Sequence, residues 1–461
     1  MRIERDSMGE MQVPDNAYYG AQTQRAFENF PVSDLKLPTP TIKALGLIKR
    51  SAAIVNHKLG FIPKNIKDAI VQAADEVINE KFNEQFIVDI FQTGSGTSSN
   101  MNTNETIANR ASEIMGGNIG DRFPVHPNDH VNYGQSSNDV FPSAIHISAN
   151  IEVENSLIPA LESLYDSLNK KAKEFDSVMK IGRTHLQDAT PIRLGQEFSG
   201  YAQMVNNGIK RLKNSQILLS ELAQGGTAVG TGINTHKDFG KLIAKEITIF
   251  SGIEFKEAEN HFEAQAMQDA AVELSGTLKT IAVSLSKIAN DIRWLGSGPR
   301  AGLGEIILPA VQPGSSIMPG KVNPVICESM IQACAQVIGN DLAVTLGGQG
   351  GIFELNLMLP LIAHNLLQSI QILANSANIF TQKLVNGLQA DKKQCEDYIE
   401  GSLAMCTSLV PLIGYDKAAE IAHKAYQSGK TIRQTAMEEE VLDLDKLNDL
   451  LDPKSMTEPN S

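Results

Sequence analysis

No Cys-x-x-Cys pair occurs in this 461-residue sequence, whose four cysteines are Cys327, Cys334, Cys395 and Cys406. Neither a zinc site nor an iron–sulfur cluster is indicated, so no metal is expected. Reduced structural thiols fit best, with Cys327, beside a polar loop, leaving redox sensing open. Basic runs are missing too: none exceeds a pair such as Lys392-Lys393, and 40 Lys and Arg stand against 53 Asp and Glu, a net charge of -13. That balance argues against nucleic acid and anionic membrane as partners. It also repels an anionic substrate at long range, so such a substrate needs local positive groups. No stretch approaches the roughly 18 uninterrupted apolar residues of a spanning helix, and Met1-Arg2-Ile3-Glu4-Arg5-Asp6 lacks the apolar core of a signal peptide. A cytoplasmic location is expected, with an organelle open only through a presequence.

What the chain does have is apolar residue, 42% of the total, and a length beyond one ordinary core. Three domains are expected: a mixed helical one over 1–135, a central helical bundle over 136–388 and a small, more charged helical one over 389–461. Between Val140 and Pro299 prolines occur only at Pro142, Pro159 and Pro191, which suits long helices. Met267, Ala271, Leu274, Leu278, Ile281, Leu285, Ile288, Ile292 and Leu295 step alternately by four and three, a heptad seam along one helix. At about 1.5 Å per residue that helix spans roughly 45 Å, enough for a bundle core and for the spine of an oligomer.

Polar runs interrupt the helical pattern. The densest is Pro313-Gly314-Ser315-Ser316-Ile317-Met318-Pro319-Gly320-Lys321-Val322-Asn323-Pro324, followed by a helical run from Val325 to Ile338. Three prolines and two glycines rule out regular structure, and hydroxyl, amide and ammonium donors at a helix start suit an anion. Lys321 and Asn323, two apart, would project to one side of extended chain and grip one carboxylate. A plain surface loop capped by Ser and Asn stands beside that reading.

A second run, Thr93 to Asn104, holds nine Ser, Thr and Asn residues before a helical stretch from Thr106 to Met115. One helix cap uses one or two such side chains, so an anion-binding loop is favoured. His126-Pro127-Asn128-Asp129-His130-Val131-Asn132 and Gly134-Gln135-Ser136-Ser137-Asn138-Asp139 read as a further polar loop, the spacing around Pro127 being poor for convergent metal ligation. Gly182-Arg183-Thr184-His185-Leu186-Gln187-Asp188-Ala189-Thr190-Pro191 is a polar insertion carrying one histidine, structural or catalytic. Gly225 to Gly232 lacks the Lys-Ser/Thr ending of a phosphate loop and is expected between helices with no strand before it, which disfavours nucleotide.

Together these motifs resemble a known family. Gly314-Ser315-Ser316-Ile317-Met318-Pro319-Gly320-Lys321-Val322-Asn323-Pro324 looks like the signature loop of the fumarase/aspartase superfamily. The runs at Gly182–Pro191, Gln135–Pro142 and His126–Asp129 are similar to class II fumarase, and the likeness extends from Arg2 to about Lys430. Ser136-Ser137-Asn138-Asp139 followed by Phe141-Pro142, His185, and Ala189-Thr190-Pro191 favour fumarase over aspartase. Ser143, His130 and Leu357-Met358-Leu359 depart from the usual fumarase pattern without touching a residue expected to do chemistry.

The resemblance implies a mainly α, three-domain fumarase/aspartase-like fold with a central long-helix bundle. It implies reversible trans hydration of fumarate to L-malate in the tricarboxylic acid cycle, with no metal or organic cofactor. Small dicarboxylates are the implied partners, in a homotetramer whose sites are shared between subunits. Ser315 matches the base and His185 the group handling the C2 oxygen, oriented by Glu328, while Lys321 and Asn323 hold the aci-carboxylate. Carry-over also gives Ser95, Gly96, Thr97, Ser136, Ser137, Asn138, Thr184, Ser316 and Val322 as substrate-binding positions, and His126, Pro127, Asn128 and Asp129 as a second anion site. An aspartate ammonia-lyase and a non-catalytic helical scaffold are the alternatives.

Overall fold

The heptad seam builds the longest helix, Asp269–Leu295, in a computed structural model that describes residues 1–459. Ala271, Leu274, Leu278, Ile281, Leu285, Ile288, Ile292 and Leu295 are all buried, while Met267 lies ahead of the helix and is partly exposed. Each such Leu or Ile contributes about 1.5–3 kcal/mol by leaving water. Further long helices run over Thr39–Lys58, Leu194–Leu219, Val325–Gly348 and Leu359–Lys383. Strands among the described residues form only two-stranded sheets, so the fold is mainly α, as the sequence predicts. No helix among them is long and apolar enough to cross a membrane.

The chain divides into two compact units. The first takes Met1–Pro159, Gly208–Ala282 and Cys334–Ala374, the second Ala160–Asn207, Val283–Ala333 and Asn375–Ser461. The four longest helices thus give a segment to each.

In the first unit the helix Thr39–Lys58 is nearly enclosed, packed by Lys64–Ile78, Ser137–Glu152 and Phe239–Ser251. A hairpin of Arg2–Asp6 with Gly9–Val13 precedes it, and only Glu4 and Val13 of its strands are buried, so the pattern carries little strand signal. The helix predicted from Thr106 begins at Thr97. Its polar first turns lie in the interior, where partners hold several of them: Gln92 pairs with Ser99, Thr103 Oγ1 donates to the Ser99 carbonyl, and Asn102 Nδ2 donates to the Gln85 carbonyl, while Asn100 Oδ1 and Asn104 Oδ1 accept no bond. Farther along, buried Glu105 accepts from the amides of Gly20, Gln22 and Thr23 at 2.9–3.1 Å, closing the start of the helix Ala21–Asn29.

In the second unit, the polar insertion around His185 is a β-hairpin, Met179–Thr184 paired antiparallel with Gln187–Arg193. Its stem rests on buried charge. Glu305 accepts from Arg183 Nη1 at 2.8 Å and lies 3.5 Å from Lys180 Nζ, which is 3.3 Å from Glu197. From Lys392 the chain forms short helices around Met405, Leu409, Ile421, Ala425 and Leu447.

Gly96 fixes where the helix Thr97–Ile114 starts. It sits at φ +73°, and a Cβ there would lie 2.2 Å from the Phe141 ring. Gly96→Ala is expected to destabilise the protein by about 2–4 kcal/mol, from left-handed strain and overpacking together. Urea unfolding checks this, and an unchanged midpoint would show that the ring yields.

Candidate active site

Two helix starts face one cavity of about 440 Å³ in the first unit, lined by Thr97, Asn100, Asn128, Asn132, Gln135, Ser136, Ser137, Thr227 and Asn234 among others. Gly96 gives Thr97–Ile114 no side-chain cap and Gln92 Oε1 takes Ser99 N, which leaves the Thr97 and Ser98 amides for a ligand. Ser95 Oγ and Thr97 Oγ1 are 2.8 Å apart. Ser136 caps the helix Ser137–Glu152 in a capping box: its hydroxyl accepts from Asn138 N at 3.2 Å, and Asp139 Oδ1 accepts from Ser136 N at 2.9 Å.

Asp139 reaches further. Its other oxygen accepts from Thr227 N at 2.9 Å and Gly225 N at 3.3 Å, drawing the glycine-rich run against the cavity. Asn138 Nδ2 fastens the same run by donating to the Ala228 carbonyl at 2.8 Å. Burial pushes the Asp139 carboxyl up to about 6, against the pull of these amides and of Lys49. Two sequence expectations change here. A short strand, Glu221–Leu222, does precede the glycine run, paired in parallel with Lys256–Glu257. The run also lines the cavity, although its unsuitability for nucleotide stands.

His126, Asn128 and Asp129 sit on a single tight turn, Pro127–Val131. His126 Nδ1 accepts from the amides of Asn128 at 3.2 Å and Asp129 at 3.1 Å, and His130 Nδ1 accepts from His126 N at 2.9 Å. These nitrogens hold the turn. Asn128 lines the cavity, Pro127 is buried and Asp129 is exposed.

The remaining predicted residues belong to the second unit. His185 and Leu186 form the two-residue tip of the hairpin at φ +55° and +60°, beside exposed Thr184. Both are non-glycine residues in the left-handed region, strain of the kind that clusters at functional sites. The signature loop closes on itself: Gly314 N donates to the Lys321 carbonyl at 2.8 Å and Asn323 Nδ2 to the Gly314 carbonyl at 2.6 Å. Asn323 is therefore first a fastener of the loop. Ser315 Oγ accepts from the amides of Ile317 at 3.2 Å and Met318 at 2.9 Å, donors that favour an ionised hydroxyl. Ser316 is exposed. Lys321, Val322, Asn323 and Glu328 line a cleft of about 680 Å³ with Trp294 and Asp391. No hydrogen bond joins Glu328 to His185 among the described residues. Cys327, next to Glu328 in sequence, is fully buried and burial pushes its thiol up to about 12, both of which disfavour redox sensing.

Sequence reasoning missed Asn100, Asn132, Gln135, Thr227 and Asn234 as cavity residues. Asn100, Asn132 and Gln135 lay inside runs already marked as polar. Thr227 carried one signal, its place in the glycine-dense stretch Gly225 to Gly232 that matched no nucleotide motif, and Asn234 lies two residues beyond that stretch.

Comparison with known proteins agrees along the whole chain. Residues 9–339 match the Lyase family and residues 405–458 the Fumarase C C-terminus family. The chain is 55% identical to the class II fumarate hydratase of Halobacterium salinarum over 456 residues, covering 99% of this chain and 97% of that protein. It is 52% identical to human mitochondrial fumarate hydratase over 460 residues, covering 99% and 90%. The crystal structure of class II fumarase from Schistosoma mansoni superposes with a TM-score of 0.98 at 42% identity, covering both chains fully. Fold, loops and full-length identity together establish that this chain belongs to the class II fumarate hydratase family.

Proposed function

We propose that this chain interconverts fumarate and L-malate by trans hydration, in a homotetramer whose active sites each draw on several subunits. The observation that carries the reading is the cavity of the first unit, where hydroxyls, amides and two helix starts converge. Such donors suit carboxylates, and the family relatives named above are fumarate hydratases.

In the malate-to-fumarate direction, Ser315 takes the C3 proton, its alkoxide held by the Ile317 and Met318 amides. The C3–H electron pair moves into the adjacent carboxylate, and Lys321, Asn323 and the loop amides stabilise the resulting aci-carboxylate. Collapse of that dianion expels the C2 hydroxyl, to which His185 gives a proton, so that water leaves. Thr97, Ser136, Ser137, Asn138 and Thr184 hold the carboxylates. Glu328 orients His185 from another copy of the chain, which accounts for their lack of a bond within one chain. His126, Asn128 and Asp129 form an anion site near the substrate's entry.

The helix Val325–Gly348 supports the tetramer. Ala335, Gly339, Leu342 and Leu346 step by four, three and four on its exposed face, with Leu342 61% and Leu346 52% exposed. A Cβ at Gly339 would meet nothing within 4 Å, leaving room for a second helix. The seam of Asp269–Leu295, by contrast, is used within the chain. Four free thiols, three of them buried, and the acidic balance fit a cytoplasmic setting.

Purified protein mixed with fumarate in ammonia-free buffer should deplete its absorbance near 240 nm. Turnover that requires ammonium would instead make it an aspartate ammonia-lyase, and no turnover with no dicarboxylate-induced rise in Tm would leave a scaffold. His185→Asn is expected to lower kcat by about two to four orders of magnitude with the tetramer intact. Co-assembly of inactive His185→Asn and Lys321→Ala subunits should restore part of the activity, because mixed tetramers contain complete sites. Properly formed hybrids that stay inactive would refute shared sites.

A further inference from the structure

We propose that Lys49, outside the cavity, is the positioning residue that makes the cavity select a doubly charged ligand, acting through the relay Lys49, Asn132, Asn100 and Ser137. The inference rests on the dicarboxylate reading above and extends it to the origin of charge selection.

Lys49 lies at 0% exposure in the middle of the helix Thr39–Lys58. A buried ammonium is rare without a carboxylate in contact, and among the described residues none lies within ion-pair distance of this one. Its Nζ donates instead to two neutral oxygens, Asn132 Oδ1 at 2.8 Å and Gln135 Oε1 at 3.1 Å, both on residues lining the cavity. Burial draws the ammonium down to about 7, with the charge of Asp139 acting against it. Asp139 is itself committed to the amides of Ser136, Gly225 and Thr227. The cation is thus left without a neutralising contact at the back of an anion-binding cavity.

An ammonium can only donate, so Asn132 must turn its oxygen toward Lys49, and the orientation of its amide is fixed. Its Nδ2 then donates to the Gln135 carbonyl at 3.1 Å. The same Asn132 oxygen accepts from Asn100 Nδ2 at 3.3 Å and Asn104 Nδ2 at 3.1 Å. The second Nδ2 hydrogen of Asn100 goes to Ser137 Oγ at 3.0 Å. Ser137 accepts there, so its own hydroxyl hydrogen is released to the cavity it lines. One buried charge therefore orients a chain of neutral groups that ends as a donor to the ligand. A dianion gains both from that donor and from the charge of Lys49, which has no carboxylate in contact, whereas a ligand with one carboxylate replaced by an amide gains less.

The test compares inhibition by succinate and by its monoamide, succinamate, together with fumarate kinetics, in the intact enzyme. Lys49→Met should raise KM for fumarate and Ki for succinate by about tenfold, with kcat within about threefold. The Ki for succinamate should move far less, so the preference for succinate narrows. Asn100→Leu cuts the relay without touching the cation and should narrow the preference in the same way, which keeps the test decisive if Lys49→Met fails to fold. Folded variants that retain the wild-type ratio, or that lose kcat with KM and Ki unchanged, would overturn the proposal while leaving the hydratase reading intact. Wild-type protein that neither turns over fumarate nor binds succinate would overturn both.

Discussion

The polar architecture of the first unit hangs on one buried carboxylate. Asp139 collects the amides of Ser136, Gly225 and Thr227, residues up to 91 positions apart in sequence, Ser136 to Thr227, into one cluster. Each such charge-assisted bond is worth about 1.5–3 kcal/mol, and burying the carboxylate without them would cost more than it returns. Removing the carboxyl would strand three amides in the interior and free the glycine-rich run from the helix start. The cavity exists because both strata, the helix start and the run, are drawn to the same two oxygens.

A buried carboxylate plays the corresponding part in the second unit, here paired with cations. Glu305, fully buried, holds Arg183 and neighbours Lys180, so the stem of the hairpin is rigid up to the residue before Thr184. That rigidity permits His185 and Leu186 to stay at positive φ, a strain of about 1–3 kcal/mol for each residue that exposed chain would otherwise relax. Buried ion pairs contribute little net stability, since desolvation offsets attraction. Their effect here is geometric: they fix the base from which the exposed tip, His185 and Leu186, projects.

How far the sequence was legible follows the range of the forces involved. The seam from Ala271 to Leu295 was readable because helix periodicity is a local property, and the signature loop because Pro and Gly constrain their own backbone. The hairpin around His185 was not, since its strand pattern is short and its tip uses two non-glycine residues where a turn signal would place Asn-Gly. The start of the helix at Thr97 was hidden for another reason. Nine hydroxyl and amide side chains between Thr93 and Asn104 read as loop, and become helix only because distant residues such as Gln85 and Asn132 receive their hydrogen bonds. Thr227 and Asn234 were invisible on the same grounds, their role depending on Asp139 and on the path of the chain after Leu222.

The net charge of -13 makes the choice of donors intelligible. A dianionic ligand approaches an acidic protein against its long-range field, which a Debye length of about 8 Å at physiological salt confines to the near surface. Inside that distance, fixed dipoles serve better than exposed lysines. Helix amides at Thr97, the Ser136 and Ser137 hydroxyls and the amides facing Ser315 are held by the fold and need no reorganisation when charge develops. Mobile cations would add attraction, but each would lose rotamer freedom on binding. The signature loop carries one ammonium, Lys321, which lines its cleft, and the first unit's buried cation, Lys49, meets the cavity only through Asn132 and Gln135. The cavity of the first unit is thus lined by oriented dipoles with no charged side chain among its lining residues, and the point charge of Lys49 lies one hydrogen bond behind them.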